Sequence, residues 1–273
     1  MPMFFSTRRR DVCAGAAAGL MAVCAQWMGR SLASDALPAR MRLLAGGRDG
    51  EGRILAGVQL SLQPGWKTYW RLPGGSGIPP TFDWSASLNA KSLIVSYPAP
   101  SRLGEGQGMF LGYTGDVVFP VEVIPADPAG DVELVLNLTY GVCERICIPA
   151  ESQARLRFAS ASPADDAAAL IERARARVPR RVPAGTMVRD WRYLADQRRI
   201  EFAVDALGGV DFVAVEGQVD LDLGMAVEVA SSGPLKRFSV SLGGPSAAPP
   251  ASPLLVTIVS RRAAVEEAHT LDG

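Results

Sequence analysis

The segment Tyr140-Gly141-Val142-Cys143-Glu144-Arg145-Ile146-Cys147-Ile148-Pro149 places two cysteines four positions apart, directly after the alternating apolar run Val132 to Leu138. Thiols are the most reactive side chains available here, because a thiolate attacks disulfides and oxidises reversibly. If the strand simply continued, residues four apart would lie about 13 Å from one another, against the roughly 6 Å Cα separation a disulfide tolerates. The chain must therefore turn between Cys143 and Cys147. Closing so small a loop contributes roughly 2 kcal/mol on the chain-entropy view, against about 4 to 5 for a long-range crosslink, and a tight ring is readily reduced. Arg145 inside the loop favours a thiolate and Glu144 opposes it, so either cysteine could be the nucleophile. The competing reading of the same pair is a structural brace, common in exported proteins.

Other chemistries are poorly supplied. His269 is the single histidine and stands in a tail expected to be frayed, which argues against histidine-dependent hydrolysis. Two thiolates and one remote imidazole do not make a zinc set, and no cofactor or metal is expected. Two thiolates would suit Cu(I), which leaves copper handling as an alternative, although no Met or His neighbours the pair in sequence.

The cysteine pair implies an oxidising compartment, and the start of the chain agrees. Arg8, Arg9 and Arg10 precede a mild Ala/Gly-rich stretch from Cys13 to Met28, then Ser31-Leu32-Ala33 before Ser34. That is the layout of a cleaved export signal over residues 1–33, similar to the twin-arginine type, and too short for a membrane-spanning helix. Removing it takes Cys13 and Cys24 away and leaves 24 basic against 27 acidic residues, a net charge of −3. A soluble periplasmic protein with no nucleic-acid partner is expected.

The elements that must position the cysteines read as β-strands. From residue 40 to 158, short alternating apolar runs such as Ile54 to Leu62 are separated by Gly/Pro clusters, among them the loop Pro73 to Pro80. The pattern predicts an antiparallel β-sandwich over 38–160. Pro163, Asp165 and Asp166 open a predicted connecting helix over 163–180, whose arginines Arg173, Arg175, Arg177, Arg180 and Arg181 read as a solvated face. Strand patterns resume at Trp191 to Leu194, Arg199 to Val204, Phe212 to Val215, Ala226 to Val229 and Leu254 to Val259, predicting a second β-domain over 185–262. The Ala/Pro/Ser tract 244–253 reads as a mobile loop and 263–273 as a disordered tail.

Three stretches, Pro64-Gly65-Trp66-Lys67-Thr68-Tyr69-Trp70-Arg71, Gly112 to Val121, and Tyr140 to Pro149, occur in an order that resembles the N-terminal periplasmic domain of the DsbD/ScsB thiol:disulfide interchange family. The resemblance implies an immunoglobulin-like sandwich whose cysteines take electrons from a membrane-embedded carrier and pass them to periplasmic redox proteins, a protein-disulfide reductase activity if the pair is redox-active. Cys143 and Cys147 fall on the two reactive positions and Tyr69 on a tyrosine beside them. Tyr113, Phe110, Tyr140, Glu144 and Arg145 are the expected neighbours, with Phe110 standing in for a capping aromatic. The three-residue spacer is shorter than the family pattern, and a form of the domain without the membrane and thioredoxin-like domains is expected. The alternative is a non-catalytic binding protein with a structural disulfide. In that case Trp66, Tyr69, Trp70 and Tyr113 are core packing.

Overall fold

The β-rich pattern resolves, in a computed structural model, into eighteen strands, one α-helix and two short 3-10 helices among the described residues, which are 38–74, 77–159, 167–206, 208–217, 223–243, 253–261 and 263–270. In chain order the first ten strands are β1 (Ala39–Arg48), β2 (Ile54–Leu62), β3 (Lys67–Tyr69), β4 (Thr81–Asp83), β5 (Ala90–Val95), β6 (Ser101–Leu103), β7 (Phe110–Thr114), β8 (Asp116–Pro125), β9 (Val132–Cys143) and β10 (Cys147–Phe158). Helix α1 (Ala167–Arg175) follows. The remaining strands are β11 (Arg180–Arg181), β12 (Val188–Leu194), β13 (Arg199–Asp205), β14 (Phe212–Glu216), β15 (Val227–Ser232), β16 (Leu235–Ser241), β17 (Leu254–Val259) and β18 (Ala264–His269). The export signal with Arg8 to Arg10, Cys13 and Cys24, the helix-start residues Pro163, Asp165 and Asp166, and residues 244–252 lie outside the described residues.

The first sandwich is immunoglobulin-like. A sheet in the order β1-β2-β8-β5 faces a sheet in the order β10-β9-β3-β7-β6, with β4 also paired to β9. Alternation along β8 and β9 turns Val121, Val123, Leu134 and Leu136 inward, where they are fully buried. Phe119 sits among Phe82, Tyr97 and Tyr113 with ring centroids 5.4 to 5.6 Å apart in edge-to-face geometry, which aromatic quadrupoles favour. Each such side chain taken out of water contributes about 1.5–3 kcal/mol.

Helix α1 does more than connect. Its Ile171 is buried and the helix packs against β1, β2 and β8, so it covers the outer face of the first sheet. It ends at Arg175 rather than near residue 180, because Arg180 and Arg181 pair in parallel with Val265 and Glu266 of β18. The arginines singled out in the sequence are exposed, as a solvated face requires.

The second sandwich joins the sheet β11-β18-β17-β14 to the sheet β12-β13-β16-β15. Its core includes Phe202, Val213, Val256 and Ile258, while Phe212, Ala214 and Val259 of the same strands pack into the core of the first sandwich. The stretch expected to be a disordered tail instead supplies β18, paired along its length with β17. Two adjacent glutamates in this strand hide the alternation, yet both are buried because both find partners. Glu267 accepts from the backbone N–H groups of Gly185, Met187 and Val188 and pairs with His269 at 3.1 Å. His269 is not frayed: it stacks on Trp191 at 4.8 Å between centroids.

Candidate active site

Strands β9 and β10 form one long hairpin whose last opposed pair is Cys143 and Cys147, with Glu144, Arg145 and Ile146 making the turn. Directly opposed residues in antiparallel strands have Cα atoms about 4.5–5.5 Å apart, inside the range a disulfide needs. Both cysteines are thiols here and their Sγ atoms are 3.1 Å apart. Forming the bond of about 2.05 Å requires a shift of roughly 1 Å. Cys147 is exposed at the start of β10, whereas Cys143 is partly covered. The exposed Ile146 and Ile148 flank Cys147 on either side in sequence.

Tyr69 closes the site from the neighbouring strand. Its hydroxyl lies 2.6 Å from Cys147 Sγ, and its ring is 4.9 Å from that of Phe110. The register explains why these groups meet: β3 pairs with both β9 and β7, setting Lys67 opposite Cys143 and Tyr69 opposite Gly112. The tyrosine ring lies in a slot made by two glycines. A Cβ on Gly141 would stand 2.8 Å from Tyr69 Cε2, and one on Gly77 would stand 2.7 Å from Tyr69 Cδ1. Such distances are far inside van der Waals contact, so both positions are glycine for close approach rather than for backbone freedom. Gly141 N–H also donates to Ile78 O at 3.1 Å, and Thr68 Oγ1 donates to Gly141 O at 2.8 Å.

The expected neighbours divide into two groups. Tyr69 stands at the sulfurs with Phe110 packed against its ring, and Glu144 and Arg145 occupy the exposed turn between the cysteines, with the Glu144 side chain reaching over Gly65. Tyr113 and Tyr140 belong to the core instead. The Tyr113 hydroxyl donates to Pro98 O at 2.8 Å, and that of Tyr140 lies 3.1 Å from Ser152 Oγ. Trp70 is fully buried, and Trp66 is partly buried against the same core. Lys67, Gly77 and Gly141 were not among the expected site residues. Lys67 and Gly141 do lie inside the quoted motifs, and only the strand register reveals what they do.

Burial pushes the Cys143 thiol above its ordinary range, aided by the hydrogen bond from Cys147 and opposed by Tyr69 and Lys67. Burial, then the contacts with both sulfurs, pushes the Tyr69 phenol well above its ordinary value as well. Each group keeps its proton in the fold at a pH where the unfolded chain has lost it. The associated stability is therefore fully present below about pH 8.5 and is lost as pH rises through the folded-state values. Oxidation removes the titration of Cys143 but not that of Tyr69. Urea melts from pH 7.5 to 10.5 should thus show the reduced protein losing stability more steeply than the oxidised one. Parallel curves would mean that Cys143 titrates as it does in the unfolded chain.

Residues 43–159 match the family described as "Thiol:disulfide interchange protein DsbD, N-terminal". This segment belongs to that family. The match runs through β3, β7, β9 and β10, the strands that carry Tyr69, Phe110, Cys143 and Cys147. Among solved structures, the N-terminal periplasmic domain of ScsB from Proteus mirabilis superposes with a TM-score of 0.69 at 22% identity, covering 87% of this chain and 95% of that one. The likeness establishes a shared fold through both sandwiches. The N-terminal domain of DsbD from Neisseria meningitidis in the reduced form aligns with a TM-score of 0.29 and 16% identity over 44% of this chain and 85% of that one. A search of curated proteins finds no match. Among the described residues, no helix is long and apolar enough to cross a membrane.

Proposed function

We propose that residues 38–160 are a periplasmic thiol–disulfide exchange domain that relays reducing equivalents through Cys143 and Cys147, between a membrane-embedded thiol–disulfide carrier and periplasmic redox proteins. The observation that carries this reading is an exposed Cys147 within 3.1 Å of Cys143 and 2.6 Å of a buried tyrosine hydroxyl. A brace needs neither an accessible sulfur nor a hydrogen-bonding group aimed at it.

The exchange is written in two displacements. The Cys147 thiolate attacks one sulfur of an acceptor disulfide, forming a mixed disulfide and releasing one thiolate. The Cys143 thiolate then attacks Cys147 Sγ, closing the Cys143–Cys147 bond and releasing the second. Two electrons pass to the acceptor, whose two thiolates take up the two protons lost by the pair. Exposure makes Cys147 the attacking sulfur, and its partial cover makes Cys143 the resolving one. Tyr69 donates to the Cys147 thiolate, and the exposed Ile146 and Ile148 offer apolar contact to the approaching partner. The reverse sequence recharges the pair from the carrier.

The test is the reduction potential of the pair, read by mass spectrometry after equilibration with glutathione and dithiothreitol buffers. A value between about −180 and −270 mV is expected of an exchanging protein. One well below about −300 mV would make the pair a structural brace and leave a non-catalytic binding protein as the better reading.

A further inference from the structure

Two residues beyond Tyr69 in the same extended segment, Arg71 leaves the sandwich that holds the sulfurs and enters the other one. Its Nε and Nη2 donate to the two carboxylate oxygens of Glu216 at 2.8 and 2.7 Å. Nη2 also reaches Glu266 Oε1 at 2.5 Å and Thr257 Oγ1 at 3.4 Å. Glu216 ends β14, Thr257 lies on β17 and Glu266 on β18, three successive strands of one sheet. The guanidinium carbon stands 4.3 Å from the Trp70 ring centroid, so apolar surface backs the charge.

Such an arrangement is expensive to build. The Arg71 side chain retains 22% of its exposure, Glu216 18% and Glu266 7%, so one cation and two carboxylates have largely left water. A buried pair of this kind adds little net stability compared with apolar packing and is better understood as selecting one arrangement over its neighbours. The interface already has apolar packing from Phe212, Ala214 and Val259. The ion network therefore adds registration rather than adhesion.

What it registers is the segment leading to Tyr69. Trp70 N–H donates to Leu111 O at 3.0 Å, and Leu111 N–H donates to Pro73 O at 3.1 Å. Residues 69–73 are thereby tied to β7, the strand that begins with Phe110. Phe110, which packs on the Tyr69 ring, directly precedes the Leu111 that is bonded to this segment.

We propose that Arg71 is a positioning residue, through which Glu216 and Glu266 of the second sandwich hold the Tyr69 hydroxyl on Cys147 Sγ. This assigns the second sandwich a task in exchange, and it rests on the function proposed above. Three elements then form one device: a carboxylate pair that fixes an arginine, a strand that transmits its position, and a phenol that serves the sulfur.

A double-mutant cycle on the full chain tests the proposal. The reduced protein is alkylated with iodoacetamide across pH 6.5 to 9.5, and the modification of Cys147 is followed by peptide mass. Tyr69→Phe removes the donor to the sulfur and should slow alkylation at neutral pH by roughly tenfold, the scale of one hydrogen bond to a charged group. Arg71→Met should slow it in the same direction, and Arg71→Lys should recover part of the rate. Arg71→Met should add nothing further in a Tyr69→Phe background. Equal slowing in both backgrounds, or a wild-type rate in folded Arg71→Met, overturns the proposal. If Arg71→Met does not fold, Glu216→Gln takes its place in the cycle with the same expectations. Alkylation needs no redox partner. A very low reduction potential with a non-additive cycle therefore refutes exchange but not the positioning, and an ordinary potential with an additive cycle does the reverse.

Discussion

On the proposed function, replacing Cys147 with serine should abolish disulfide exchange with every acceptor, a loss of about 10³-fold or more, which is the scale on which enzymes suffer from losing a covalent nucleophile. Replacing Cys143 has a different outcome. Cys147 stays exposed and can still attack, but the sulfur 3.1 Å away that would resolve the mixed disulfide is gone. Cys143→Ser should therefore accumulate a one-to-one covalent adduct with an acceptor, visible on non-reducing gels, whereas Cys147→Ser should not. If the adduct forms on Cys147→Ser instead, the two roles are exchanged. If both variants still turn over an acceptor, the pair is not the redox centre.

Gly141→Ala should damage fold and site together. Its Cβ would stand 2.8 Å from Ile78 Cβ and 2.8 Å from Tyr69 Cε2. Ile78 Cβ moves only with its backbone, so the Tyr69 side chain is the group that gives way. Overpacking of this kind costs about 1–3 kcal/mol, or roughly 2–4 °C in Tm per kcal/mol for a chain of this size. The tyrosine must leave Cys147 to relieve the clash, so Cys147 alkylation should approach the rate of Tyr69→Phe. Thermal melts and the alkylation assay check the two halves separately. A wild-type melt with a wild-type alkylation rate would mean that the slot is looser than its distances imply.

Much of the first sandwich was legible because its strands alternate cleanly and its turns carry Gly and Pro. The cysteine pair was legible from spacing alone, since only a turn lets residues four apart come together. Tyr69 required the family resemblance, because nothing in its own surroundings separates a tyrosine at a sulfur from Trp70, its neighbour in the core. Tyr113 and Tyr140 show the limit of such transfer: both sit in the family motifs, yet their hydroxyls are committed to Pro98 and Ser152.

What stayed hidden depends on partners distant in sequence. Glu266 and Glu267 read as a polar tail until Arg71, 195 residues from Glu266, and the backbone around Met187 are brought to them. The slot glycines are silent for the same reason, because a close approach exists only once the strand register is known. Lys67 becomes relevant only when β3 sets it opposite Cys143.

The hairpin that carries the sulfurs has a bearing on how long the molecule can serve. Cys143 and Cys147 are already held face to face by the ladder of β9 and β10 before any covalent bond joins them. Closing that bond therefore asks for a shift at the turn rather than a repacking of the sandwich. On the proposed function, a carrier built this way would pass each electron pair without exposing its core to aggregation or proteolysis, and so could be used many times over.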